Sequence, residues 1–91
     1  MTNQNPTKVT MYGADWCGDC RRAEKLFTAA GIDWEYIDLI EQESEVATAK
    51  AISGRTQIPV VVYPDGSHQV EPSNQDMTAK LRELGLVPAA E

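Results

Sequence analysis

Long apolar runs and an excess of positive charge are both missing from this chain of 91 residues. No run approaches the roughly 20 apolar residues that cross a bilayer. The polar stretch 1–8 lacks the apolar core of a secretory signal, so we expect a cytoplasmic location. Eight Lys and Arg stand against 14 Asp and Glu, which gives a net charge of −6. This balance disfavours nucleic acid and anionic membranes as partners.

Cysteine and histidine are also scarce. The chain has two cysteines, Cys17 and Cys20, and one histidine, His68. A structural zinc site needs about four ligands, and we therefore expect no metal and no bound cofactor. In a cytosolic protein, two cysteines at this close spacing are more often catalytic or metal-binding than a structural disulfide. Because two cysteines and one histidine are too few ligands for a structural zinc site, the cysteine pair indicates redox chemistry.

The length and composition suit one small globular domain. Hydrophobic residues make up 42% of the chain, which argues against disorder. We expect residues 1–91 to form a single domain, with loose tails at 1–7 and 86–91. We also expect a monomer.

Periodicity and turn residues predict seven elements in the order β-α-β-α-β-β-α. Four stretches rich in apolar, β-branched or aromatic residues and apolar positions at helical spacing on three helices indicate a mixed four-stranded sheet with helices on both faces, an α/β fold. Ser44 is a candidate cap of the second helix, and Ser73 with Asp76 resembles a capping box on the third. The predicted bounds are a strand at 8–12, a helix from the cysteine pair to Gly31, a strand at 32–39, a helix at 41–53, a hairpin of strands at 58–63 and 68–70, and a helix from Ser73 to Gly85.

The Cys17-Gly18-Asp19-Cys20 motif lies where the first strand passes into the first helix. Unpaired backbone N–H groups at a helix start favour a nearby anion, so Cys17 is the predicted thiolate and nucleophile. Cys20 falls about one turn inside the helix and should be less exposed. The two sulfurs can close a small ring and store two electrons.

Two stretches carry a family resemblance. Residues 12–20, Tyr-Gly-Ala-Asp-Trp-Cys-Gly-Asp-Cys, and the later Thr56-Gln57-Ile58-Pro59 resemble glutaredoxin-like members of the thioredoxin superfamily. The resemblance covers almost the whole chain in element order and implies a thioredoxin-like fold and thiol-disulfide oxidoreductase activity. It also implies that Pro59 is cis, that its loop faces the cysteines, and that the backbone of Ile58 pairs with a bound thiol.

Departures from the glutaredoxin pattern concern the small thiol that serves as co-substrate. Glutathione-using members generally carry Gly-Gly at the start of the third helix and a lysine shortly before the first cysteine. This chain has Glu71-Pro72-Ser73-Asn74 and no lysine between Val9 and Cys17. That helix start is closer to the mycoredoxins, which use mycothiol, and we therefore favour mycothiol over glutathione. Residues that could meet the hydroxyl groups of mycothiol are Tyr12, Trp16, Gln57, Ser73 and Asn74.

Other functions stay open on the sequence. The chain could be a dithiol electron donor to protein disulfides such as that of ribonucleotide reductase, regenerated by thioredoxin reductase. It could also be a non-catalytic thioredoxin-fold binding module or a cluster carrier. The favoured hypothesis makes a small thiol and thiolated or disulfide-bonded proteins its partners, with a flavin reductase acting directly or indirectly.

Overall fold

The computed structural model describes residues 8–87, and its elements follow the predicted order. Most of the tails expected at 1–7 and 86–91 lie outside the described residues. The elements are β1 Val9–Gly13, α1 Gly18–Ala30, β2 Trp34–Asp38, α2 Glu45–Ser53, β3 Val60–Val62, β4 His68–Val70 and α3 Asn74–Glu83.

The sheet has four strands in the order β2-β1-β3-β4. Strand β1 pairs parallel with β2 and antiparallel with β3, and β4 pairs antiparallel with β3. The predicted mixed sheet is therefore confirmed. All five residues of β1 are buried, since this strand lies between two others and under helices on both faces.

Apolar residues of the central strands point alternately to two core clusters. Met11 and Val61 pack in one cluster with Phe27 of α1 and Met77 of α3. Tyr12 and its neighbours on β3 pack in the other cluster with Ala49 of α2. The period of two along a strand thus places α1 and α3 on one face of the sheet and α2 on the other.

The chain beyond α3 stays in contact with the core at Val87. This side chain is partly buried against the cluster that holds α1 and α3.

Helix caps confirm one prediction and correct another. The hydroxyl of Ser73 accepts from the backbone N–H of Asp76 at 3.0 Å, and the Asp76 carboxylate accepts from Ser73 N–H at 3.5 Å, so the predicted capping box is present. The prediction for Ser44 is wrong: it precedes α2 but makes no side-chain cap bond. The backbone carbonyl of Asp38 accepts from Gln42 N–H and its side chain accepts from Ile40 N–H, which holds a turn where the helix was expected to begin.

Candidate active site

Cys17 is the N-cap residue of α1, as the sequence predicts. Its Sγ accepts a hydrogen bond from the backbone N–H of Cys20 at 3.2 Å, and the side chain is 8% exposed. Backbone N–H groups at a helix start carry a partial positive charge. The sulfur of Cys17 is therefore placed where a thiolate is stabilised.

The loop before β3 faces this sulfur. The Ile58–Pro59 peptide bond is cis, as the resemblance implies. Sγ of Cys17 lies 4.0 Å from the carbonyl oxygen of Ile58, across 41 positions of sequence. The start of α1 and the proline loop are thus brought together at one point of the surface.

An open cavity of about 450 Å³ lies between these two segments. We call it the Cys17 cavity. Among the described residues, those that line it include two carboxylates, Asp19 and Glu71, and no Lys, Arg or His. Trp16 is 73% exposed, so its indole stands free beside the nearly buried Cys17. The full lining is Trp16, Cys17, Gly18, Asp19, Thr56, Gln57, Ile58 and Glu71.

Glu71 has an unusual backbone for its type. Its φ is +51°, in the left-handed region that favours glycine, and its N–H donates to the carbonyl of Pro59 at 2.9 Å. Such conformations in non-glycine residues cluster at functional sites. Glu71 was not among the predicted substrate-binding residues. It stands where glutathione-using glutaredoxins generally carry Gly-Gly, and this difference could have identified it from the sequence.

Arg22 ties the start of α1 to the start of α3. Its guanidinium lies 3.3 Å from the carboxylate of Asp19, 2.7 Å from Oδ1 of Asn74 and 3.1 Å from the carbonyl of Pro72. The predicted residue Asn74 is thereby engaged with Arg22. The ion pair with Arg22 partly neutralises Asp19, one of the two carboxylates of the Cys17 cavity. Glu71 is the other carboxylate.

Cys20 lies behind Cys17 and is 2% exposed. Burial raises the pKa of its thiol to about 12, and the neighbouring Cys17 and Asp19 act in the same direction. Cys20 borders a second cavity, on the side of β2, together with Tyr36 and Asp38. The two cysteines therefore line different cavities. Cys17 lines the Cys17 cavity, which the proline loop borders, and Cys20 lines the cavity on the side of β2.

The predicted substrate residues fall into two groups. Trp16, Gln57 and Ile58 line the Cys17 cavity, and Pro59 is buried behind its loop. Tyr12 instead lies in the core cluster beside α2, where burial raises the pKa of its phenol. The side chain of Ser73 serves as the cap of α3. The side chains of Tyr12, Ser73 and Asn74 therefore make contacts within the protein and do not line the Cys17 cavity.

Residues 8–87 hold no group of three or more His, Cys, Asp or Glu side chains placed to bind a metal ion. None of the helices described there is long and apolar enough to cross a membrane.

A mixed sheet of this topology, with a Cys-x-x-Cys pair opening α1 and a cis-proline loop facing the first sulfur, defines a thiol-disulfide oxidoreductase of thioredoxin-like fold. The Glutaredoxin family matches residues 9–69. The chain belongs to the glutaredoxin family, whose members work with low-molecular-weight thiols and protein disulfides.

Relatives and solved structures agree with this assignment. Mycoredoxin 1 of Corynebacterium glutamicum is 32% identical over 79 residues, which cover 86% of this chain and 98% of that protein. The crystal structure of a glutaredoxin from Archaeoglobus fulgidus superposes with a TM-score of 0.76 at 27% identity, covering 87% of this chain and 90% of that one. A buckwheat glutaredoxin–glutathione complex superposes with a TM-score of 0.64 at 27% identity, covering 94% and 76%.

Proposed function

We propose that this protein is a cytoplasmic, monomeric, mycoredoxin-type oxidoreductase that removes mycothiol from mixed disulfides, with Cys17 as the nucleophile. The observation that carries this proposal is the charge of the Cys17 cavity. Two carboxylates and no cation stand among its described lining residues. Such a cavity suits a neutral thiol better than an anionic one.

The first step exchanges one disulfide for another. The Cys17 thiolate attacks the mycothiol sulfur of a protein–mycothiol disulfide, and the bond between that sulfur and the protein breaks. The protein sulfur leaves as a thiolate and takes up a proton from solvent. Cys17 is now joined to mycothiol, held beside Trp16, Gln57 and the backbone of Ile58.

A second thiol then restores the enzyme. The thiolate of another mycothiol attacks the mycothiol sulfur bound to Cys17, which releases mycothiol disulfide and the Cys17 thiolate. A flavin reductase returns the released disulfide to two thiols. Alternatively, the Cys20 thiolate attacks Cys17, releases mycothiol and leaves an internal disulfide, which two further thiols must reduce.

We favour mycothiol because the described lining of the Cys17 cavity offers no cation to pair with the carboxylates of glutathione. Glutathione brings two carboxylates and one ammonium, whereas mycothiol is a neutral pseudodisaccharide thiol. A charged group left without a partner costs about 1–3 kcal/mol, or a factor of roughly 10 to 100 in affinity. Glu71 adds repulsion to any carboxylate in the Cys17 cavity, and Arg22 is engaged with Asp19 and Asn74. The similarity to mycoredoxin 1 supports the same choice.

The test compares matched mixed disulfides of one reporter protein with mycothiol and with glutathione, each assayed with its own thiol and reductase. We expect the higher kcat/KM with mycothiol, by about tenfold or more. Equal or better turnover with glutathione, the ligand of the buckwheat protein, would overturn the preference while leaving the family chemistry intact. Turnover with neither thiol, but with thioredoxin reductase, would instead make the protein a dithiol donor.

A further inference from the structure

A second cavity of about 640 Å³ runs along the outer face of α1 and begins beside the Cys17 cavity. We call it the α1 cleft. Gly18 lines both cavities, so the cleft starts one residue from the nucleophile. Its lining residues from α1 recur at helical spacing on one face. The full lining is Gly18, Arg21, Arg22, Lys25, Leu26, Ala29 and Asn74.

The charge of the α1 cleft is opposite to that of the rest of the protein. Three of the eight Lys and Arg residues, Arg21, Arg22 and Lys25, line it. No Asp or Glu stands among its described lining residues, although the chain as a whole has a net charge of −6. The positively charged α1 cleft therefore lies next to the Cys17 cavity, whose described lining residues include no cation. The two cavities should prefer ligands of different charge.

Two of the three cations are available to a partner. Arg21 and Lys25 are exposed, and within residues 8–87 neither forms an ion pair. The only side-chain hydrogen bond of Arg21 in that range is a long one, 3.4 Å, to the carbonyl of Asp15. Leu26 and Ala29 supply an apolar floor between the charges. Exposed cations flanking an apolar strip fit an acidic peptide segment, whose carboxylates pair while its side-chain carbons cover the floor.

We propose that the α1 cleft docks an acidic segment of the substrate protein, next to the cysteine whose mixed disulfide enters the Cys17 cavity. The inference rests on the function proposed above, and it adds which protein substrates the enzyme prefers. Continuity at Gly18 is the second argument, because a chain running along α1 reaches Cys17 at the residue that lines both cavities. The neutral thiol then occupies one cavity and the acidic protein segment the other.

Single-turnover rates with short peptides test the docking. Each peptide carries one cysteine as a mixed disulfide with 2-mercaptoethanol, a neutral group that makes the assay independent of the choice between mycothiol and glutathione. The cysteine is flanked by three Glu, three Ser or three Lys residues in otherwise identical peptides. Release of the peptide thiol by reduced enzyme is followed by acid quench and chromatography at about 20 mM and about 0.5 M salt.

The net charge and the cleft predict opposite orders of reactivity. Repulsion by an enzyme of charge −6, or by Asp19 and Glu71, would make the Lys peptide the fastest. Docking in the α1 cleft makes the Glu peptide the fastest at low salt, and the advantage should largely disappear at high salt. A faster Lys peptide, or equal rates for the three, overturns the inference.

A charge-matched pair of double variants locates the effect. Arg21→Gln with Lys25→Gln should slow the Glu peptide about three- to tenfold, given the strength of two exposed ion pairs, and leave the Ser peptide unchanged. The control, Lys50→Gln with Arg82→Gln, removes the same charge from α2 and α3 and should change the Glu peptide less than twofold. Equal slowing by both pairs would assign the effect to net charge and overturn the inference. No reaction with the Ser peptide in the wild type would instead overturn the proposed function itself.

Discussion

A Cβ atom at position 13 would lie 2.7 Å from Sγ of Cys20 and 3.1 Å from its Cβ. Gly13 ends β1, and the side chain of Cys20 fills the space that any other residue there would need. The first strand and the first helix can therefore approach this closely only with glycine at position 13. At Gly18, in contrast, an added Cβ meets nothing within 4 Å.

Gly13→Ala should lower the free energy of unfolding by about 1–3 kcal/mol, because the added methyl group overpacks a buried site against the side chain of Cys20. Urea unfolding measures the change. Gly18→Ala is the matched control and should leave the midpoint unchanged or slightly raised. An unchanged midpoint in Gly13→Ala would mean that Cys20 adopts another rotamer without cost.

Local patterns explain why the element order and the reactive motif could be predicted from sequence. The N-cap position of Cys17 and the capping box of Ser73 depend on residues within one turn of each other. Pro59 needed the family resemblance, since no local signal distinguishes a cis bond.

Features that depend on distant neighbours could not be predicted. Ser44 has the right residue type and lies at the N-cap position of α2, but its backbone is helical rather than extended, and its side chain makes no cap bond. Tyr12 lies on β1 close to the reactive motif, yet its side chain packs in the core beside α2. The close approach of Gly13 and Cys20 depends on how α1 packs against the sheet, which the sequence near either residue does not encode.

The β3–β4 turn should contribute stability that is lost in acid. Hydrogen bonds from Lys80 and Ser67 hold the pKa of Asp65 well below its ordinary value of 3.8. A carboxyl with a lowered folded-state pKa stabilises the protein above its ordinary pKa, and this contribution is lost as the pH falls below that value. Wild type should therefore lose more stability between about pH 6 and pH 3 than Asp65→Asn does. Urea midpoints at both pH values measure the difference.

Two variants control this acid experiment. Lys80→Gln should resemble Asp65→Asn, because Nζ of Lys80 lies 2.8 Å from the Asp65 carboxylate. Asp33→Asn removes an exposed carboxylate 3.8 Å from Lys8 and should keep the wild-type acid dependence. The same acid dependence in Asp65→Asn as in wild type would show that the ion pair adds nothing to stability.

Internal disulfide formation should be slow at neutral pH and accelerate steadily with alkali. The thiol of Cys20, with a pKa raised to about 12 chiefly by burial, must ionise before it attacks Cys17. We expect Cys20 to stay buried when Cys17 is part of a mixed disulfide, so the rate should rise about tenfold per pH unit between roughly pH 7 and 10. Enzyme carrying 2-mercaptoethanol on Cys17 is kept without added thiol, and release is followed by mass spectrometry. A plateau below about pH 9 would contradict the raised pKa.

The cysteine variants separate the two routes of that reaction. Cys20→Ser should not release the group from Cys17 unless external thiol is added, and it should retain turnover on small mixed disulfides. Cys17→Ser should lose turnover altogether, because a hydroxyl cannot replace the attacking thiolate. Loss of turnover in both variants would show that the internal disulfide is obligatory.

Glu71→Gln should shift the enzyme towards glutathione. Glu71 is exposed and lines the cavity that opens on Cys17, so its charge repels the carboxylates of a bound glutathione but not the hydroxyls of mycothiol. Glutamine keeps the size of the side chain. The hydrogen bond from the backbone N–H of residue 71 to the carbonyl of Pro59 does not involve the side chain and should remain. The ratio of kcat/KM for glutathione to that for mycothiol should rise about two- to fivefold, the range expected for one exposed charge. Glu35→Gln, on the opposite edge strand β2, removes the same charge and should leave the ratio unchanged. A rise of equal size in both variants would trace the selectivity to net charge, and no rise in either would remove Glu71 from the choice of thiol.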